Sequence, residues 1–359
     1  MIHSLTLAPR LLAQIAFPSP AATKMMAELA MALHYFRQSY APGDLADQGI
    51  AAIETALASR LMQDAHLALL ANPFLTAQAL TPYVFLRGAI APLAPYEQLL
   101  AELSLRDDSL HEATPYRRME RAYLLSKLGK PLPGWRTAPI LHDARRAWAF
   151  SRDVSYAFTH TVLFATDFAA IRRPDPFVKG VAQLCLAVAH AEADLDLFWE
   201  LALCLTTQDL SPADLAGLLH LCVDLRDRFG HVFDAPALES QYHPVFVHDI
   251  LRGRMLHRFG IDILTAPSPG PSPLYGQLLA LQHALAGKDA ARILAAHAAL
   301  PATAWGDAMV RDRLSQLRRL ARREVLFLRE LGPSHADQPE LYRAYTNQIG
   351  GFLARLTSG

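Results

Sequence analysis

The sequence is poor in charge and in β-branched residues. Its 359 residues hold 34 Lys+Arg against 34 Asp+Glu, with 19% charged and 52% hydrophobic. A chain this apolar and lightly charged is not intrinsically disordered; it must bury a large core. Valine and isoleucine number 12 each beside 60 Ala and 60 Leu. So few strand formers among so many helix formers predict an all-α protein. Zero net charge removes any general attraction to nucleic acid or anionic membranes, and neither is an expected partner. No apolar run approaches the roughly 18–20 residues of a membrane-spanning helix. Near the N-terminus, Arg10 precedes only Leu11 to Phe17, which Gln14 interrupts and Pro18 ends, so no signal peptide is expected and the cytoplasm is the default location. Cysteine is scarce too. Cys185, Cys204 and Cys222 have no C-x-x-C spacing and read as reduced core residues.

Familiar motifs are equally missing. The glycines form neither G-x-G-x-x-G nor a P-loop, no G-x-S-x-G elbow accompanies the histidines, and there is no H-E-x-x-H or paired E-x-x-H. Tetratricopeptide and ankyrin signatures do not recur. What remains is a succession of short helical patterns, including 45–70, 138–150, 153–171, 194–207, 243–257, 305–331 and 338–356. Ser211-Pro212-Ala213-Asp214 supplies a helix start, with an N-cap Ser, a first-turn Pro and a carboxylate. Two breaks stand out, Lys130 to Gly134 and the Pro-rich Thr265 to Pro273. They divide the chain into 1–130, 131–264 and 265–359, or punctuate one continuous domain. Antiparallel helix pairs would form an α/α toroid or an irregular helical solenoid.

Against this apolar background, ionisable residues on helix faces are informative. In Tyr156 to Phe168, His160 and Asp167 are seven residues apart, so on one helix they point the same way within about 20° and lie roughly 10.5 Å apart along the axis. Tyr156 sits one turn before His160. The segment reads either as a polar stripe lining a cavity or as residues satisfied within the core. A second cluster, His190 to Glu200, holds four carboxylates. Asp194 or Asp196 could cap the following helix, but Asp196 and Glu200 form a like-charged i,i+4 pair whose burial would favour function over capping. In Gln241 to Asp249, His243 precedes Pro244 at a helix entrance, from which it could reach across a bundle mouth. His248 points roughly 140° away from it. His160, Asp167 and His243 together make a 2-His-1-carboxylate donor set for one divalent transition metal, or an acid–base pocket without metal. The axial separation of His160 and Asp167 counts against a shared ion. The basic run Arg311 to Arg323 alternates with Leu314, Leu317 and Leu320 and reads as a solvated helix face.

Thr-His160 and Thr-Asp167-Phe within Tyr156 to Phe168, with Tyr242-His243, resemble uncharacterised all-helical bacterial proteins that accompany natural-product biosynthesis. The resemblance covers about residues 150–260. Pro244 after His243 and Ala169 after Phe168 depart from it, and it implies no particular reaction. Two functions follow as expectations. One is a small-molecule or peptide-modifying enzyme of specialised metabolism, with His160 as base or ligand, Asp167 as acid or ligand, His243 closing the pocket and Tyr156 orienting one of them. The other is a non-catalytic helical-repeat scaffold presenting a groove to a peptide or partner protein. An enclosed convergence of the three ionisable residues favours the first; their separation along an open groove favours the second.

Overall fold

The computed structural model describes residues 2–14, 19–70, 76–103, 115–129, 151–234, 242–287, 289–301 and 303–331. These residues are all-α: sixteen helices and, among the described residues, no strand beyond an isolated Arg87–Ile90 bridge. The first half comprises α1 (His3–Gln14), α2 (Pro20–Ser39), α3 (Pro42–Asp47), α4 (Ile50–Leu61), α5 (Asp64–Leu70), α6 (Thr76–Leu86), α7 (Ala94–Leu103) and α8 (Pro115–Lys127). The second comprises α9 (Arg152–Ala165), α10 (Pro176–Glu192), α11 (Leu195–Leu205), α12 (Pro212–Asp234), α13 (Tyr242–Phe259), α14 (Pro273–Ala286), α15 (Ala290–Ala298) and α16 (Ala304–Leu331). The 45–70 pattern is three helices rather than one, because Gly49 adopts a left-handed φ of 73° and a turn at Met62–Gln63 separates α4 from α5. The Lys130–Gly134 break and the 138–150 and 338–356 patterns lie outside the described residues.

Side chains set the helix starts. Ser19, Ser151, Asp175, Asp194 and Asp289 each accept a first-turn backbone N–H. At α12, Ser211 and Asp214 cap reciprocally: the Asp214 N–H donates to Ser211 Oγ, and the Ser211 N–H and hydroxyl donate to Asp214 Oδ2. For α1 the cap comes from far away. Asp249 on α13 accepts both the N–H and the hydroxyl of Ser4 at 2.7 Å, fastening the first helix to one 245 positions later.

One buried apolar cluster runs from Ile2 to Leu317, and Trp199, Tyr35, Tyr83 and Phe198 are among its largest members. At its centre α2 packs on α6 and α13, α13 on α11, and α11 on α9 and α10. The α2–α13 approach is close because residue 253 is glycine; a β-carbon there would meet Ser39 Cβ at 2.7 Å. Tyr40, at the end of α2, donates to the Asp249 carbonyl at 2.7 Å. The Pro-rich 265–273 segment is held at its start, where Arg226 donates to the carbonyls of Ile263, Leu264 and Ala266. All three cysteines are buried and unpaired. The α16 basic run is not uniformly solvated: Arg313 is buried and donates to the Leu285 and Gly287 carbonyls, closing the end of α14. Among the described residues, no helix is long and apolar enough to cross a membrane.

Gly180 on α10 seats the Trp305 ring of α16, and a β-carbon there would lie under 3.0 Å from the indole. Gly180→Ala should therefore destabilise the protein by about 1–3 kcal/mol through overpacking, read as a lowered denaturant midpoint. A midpoint equal to that of the parent protein contradicts this packing.

Candidate functional site

Four helices converge on one polar group inside the bundle. From α11 come Asp196 and Glu200, one turn apart on a single face; α13 contributes His243 from its first turn, where Pro244 is tolerated because its missing N–H would have no helical partner. From α2 comes Glu28, and from α9 the i, i+3, i+4 set Tyr156, Thr159 and His160. His243 is the hub. Its Nδ1 lies 3.1 Å from Glu28 Oε1, and its Nε2 lies 3.3 Å from both Asp196 Oδ1 and Glu200 Oε1. Glu200 is only 2% exposed, while Glu28, Asp196 and His243 are partly buried. Tyr156 donates its hydroxyl to Asp196 Oδ2 at 2.6 Å, and the Thr159 hydroxyl donates to Glu200 Oε2. Arg152 in turn donates to the Tyr156 hydroxyl and to Asp194, so the chain of hydrogen bonds reaches the surface. His160 Nδ1 lies 2.7 Å from the Tyr156 carbonyl. A carbonyl can only accept, so that nitrogen carries a proton and Nε2 bears the lone pair in the neutral ring.

The electrostatics follow from burial and crowding. Burial opposes charge on His243, but Glu28, Glu200 and Asp196 outweigh it and hold the imidazole pKa well above its usual value. Burial also raises the pKa of Glu28 and Glu200, yet His243 at Glu28, and His160, His243 and Thr159 at Glu200, bring both below the ordinary carboxylate value. Asp196 goes the other way: burial, with Glu200 and Glu28 adding to it, raises its pKa despite His243 and Tyr156. The group thus gathers three carboxylates around one imidazolium. The fixed cations that act on it, Lys24 at Glu28 and Arg152 at Asp196, sit at the exposed edge.

Beside this group lies a cavity of about 440 Å³, within the range of small-molecule sites. Glu28, Tyr156, His160, Glu200 and His243 line it, with Lys24, Glu120 and Asp153 also contributing charge; Met31, Phe85, Tyr123, Leu163, Phe164 and Phe168 form apolar wall.

The chain matches the family described as "Domain of unknown function (DUF6895)" over residues 8–248. It belongs to that family. The matched segment contains every residue of the polar group just described. Among curated proteins and among solved structures, nothing matches the chain.

Of the four residues singled out from the sequence, Tyr156, His160 and His243 line the cavity, whereas Asp167 does not. The expected His160–Asp167 stripe is interrupted because α9 ends at Ala165. Asp167, Phe168 and Ala169 then adopt left-handed φ values of 53°, 47° and 62°, a strained run for non-glycine residues. The Asp167 carboxylate turns behind the Tyr123–Phe168 wall, where it accepts from Tyr35, Tyr123 and Lys127. The two tyrosine hydroxyls also touch each other. Arg254 donates to the Phe168 carbonyl, and Phe168 stacks on Tyr35 at 4.9 Å. These contacts hold the strained turn and aim Phe168 at the cavity. Beside the cavity, the donors brought within ligand distance of one another are Asp196, Glu200 and His243, not the His160–Asp167–His243 set. In the 190–200 cluster, Asp194 does cap α11, while Asp196 and Glu200 face the cavity group. Glu28 escaped sequence reading because Lys24, at i−4, makes it look like half of a surface ion pair, and the structure retains that contact at 3.6 Å.

Removing the Asp167 carboxylate should cost about 2–3 kcal/mol, because Lys127 and two buried hydroxyls lose their acceptor while the left-handed turn loses its tether. Denaturant unfolding of Asp167→Ala measures this; a loss under about 0.5 kcal/mol would show that the turn stands without its carboxylate.

Proposed function

We propose that the protein is a metal-assisted enzyme acting on a small, largely apolar molecule held in the α2–α9–α11–α13 cavity. One observation carries the reading. His243 Nε2 can donate a single proton, yet Asp196 and Glu200 each bring an oxygen to 3.3 Å from it. One N–H cannot serve both well. A divalent ion can take all three donors: bonds of about 2.0–2.1 Å in a tetrahedral site put neighbouring ligand atoms roughly 3.3–3.4 Å apart. In this assignment Asp196, Glu200 and His243 are the ligands. Glu28, with Oε1 3.1 Å from Nδ1, is the carboxylate that would fix the histidine tautomer from outside the ligand set. Two carboxylates and one imidazole suit iron, manganese or zinc.

When bound, the ion would supply Lewis-acid polarisation of a substrate oxygen or an activated water. The chain's own residues do the rest. His160, its tautomer set by the Tyr156 carbonyl, offers Nε2 for proton transfer at the cavity wall. Tyr156 holds Asp196, and Phe164 and Phe168 exclude water from the apolar end. Asp167 becomes a positioning residue acting through the wall. A role in specialised metabolism rests on the sequence resemblance of residues 156–168 and Tyr242–His243. Because Asp167 stands apart from the cavity, the three ionisable residues singled out from the sequence do not all converge; the convergence of Glu28, Tyr156, His160, Glu200 and His243 on it supports an enzyme over a scaffold.

Protein purified without a polyhistidine tag, stripped and titrated with Zn²⁺, Mn²⁺ and Fe²⁺, tests this. One of these ions should bind stoichiometrically; Glu200→Gln and His243→Ala should each remove that equivalent, and Glu28→Gln should weaken it by about 10–100-fold. Binding indifferent to all three substitutions rules the centre out.

A further inference from the structure

A second set of metal-ligating side chains lies on another face of α13, roughly 120–140° around from His243. Asp249 and His248 are fully buried at 0% exposure, and His3, at the start of α1, is half-buried. One oxygen of Asp249, Oδ2, completes the α1 cap through Ser4. The other, Oδ1, is not required for that cap. It faces two imidazoles presenting the same atom, with His248 Nδ1 at 3.3 Å and His3 Nδ1 at 3.6 Å.

Those distances are informative. A charge-assisted N–H···O bond between an imidazole and a buried carboxylate runs about 2.7–2.9 Å. Both contacts are longer, and they approximate the edges of the tetrahedron expected around a zinc ion, roughly 3.3–3.4 Å. Each of the three residues offers a ligand atom within 4.8 Å of those of the other two. The outer contacts are those a ligand set needs: Ser4 orients the carboxylate through Oδ2, and Trp199 packs edge-on against the His248 ring at 4.9 Å.

We propose that His3, His248 and Asp249 bind a second divalent cation, with the N₂O chemistry of zinc, which clamps α1 to α13. Two imidazoles and one carboxylate are softer than the cavity's two carboxylates and one imidazole, so the two sites differ in preference. Three protein ligands leave one position for water, reached past the partly exposed His3. The site shares no ligand with the cavity centre and does not rest on it.

Full-length, chelator-stripped protein titrated with Zn²⁺ and, separately, with Co²⁺ provides the test. The intense visible absorption of tetrahedral cobalt should appear in the parent protein. It should persist in Glu200→Gln, where the cavity centre is lost, and vanish when His3→Ala or His248→Gln is added to Glu200→Gln. Bound Zn²⁺ should raise Tm in Glu200→Gln but not when His3→Ala is added to it, and the stripped double variant should melt with stripped Glu200→Gln; this separates ligand loss from unfolding. Tetrahedral absorption that is absent from Glu200→Gln, or that survives either histidine substitution made in Glu200→Gln, overturns the proposal. A single Zn²⁺ equivalent lost in Glu200→Gln but kept in His3→Ala also overturns it and leaves the cavity centre standing. The reverse pattern upholds it and defeats the cavity centre.

Discussion

Three carboxylates drawn around one histidine inside an apolar helical bundle carry an electrostatic cost that something must offset. Glu28, Asp196 and Glu200 come from two helices, α2 and α11, which meet through their common contact with α13. Like charges at i,i+4 on α11 are unfavourable in isolation, and burying them adds to the penalty. His243 supplies the compensating charge, with Tyr156, Thr159 and the N-terminal end of α11 assisting. This surplus of buried negative charge is what the proposed cation would offset, and the surrounding helices hold the carboxylates around His243.

The rest of the architecture serves that arrangement. Gly253 lets α2 and α13 approach, so that Glu28 reaches His243 Nδ1. Asp249 pins α1 across the outer face of α13. On the far wall, Asp167 holds a left-handed turn that carries Phe168 into the cavity lining. A lining that sets ionisable side chains beside aromatic wall suits a ligand with polar groups on an apolar body.

Much of this was legible from composition and local pattern. The all-α class followed from the excess of Ala and Leu over Val and Ile, and Tyr156, His160 and His243 stood out as polar interruptions of apolar faces. The Asp196–Glu200 pair was visible as a like-charge conflict, but capping was an adequate local explanation; only the tertiary fold separates the capping Asp194 from the inward-facing pair. Asp167 was misplaced because no glycine or proline marks the end of α9. Its left-handed turn is enforced by Tyr35, Tyr123, Lys127 and Arg254, whose proximity is a property of the whole fold. Glu28 carried no local anomaly at all, since its neighbour Lys24 explained it.

The most direct measurement is anomalous diffraction at the absorption edge of the bound metal, from crystals of the metal-loaded protein. The account predicts a peak at bonding distance, about 2.0–2.2 Å, from Asp196 Oδ1, Glu200 Oε1 and His243 Nε2, with Glu28 on the opposite edge of the imidazole. Loaded crystals with no peak among these three side chains, and His243 still bridging the carboxylates as an imidazolium, would contradict it.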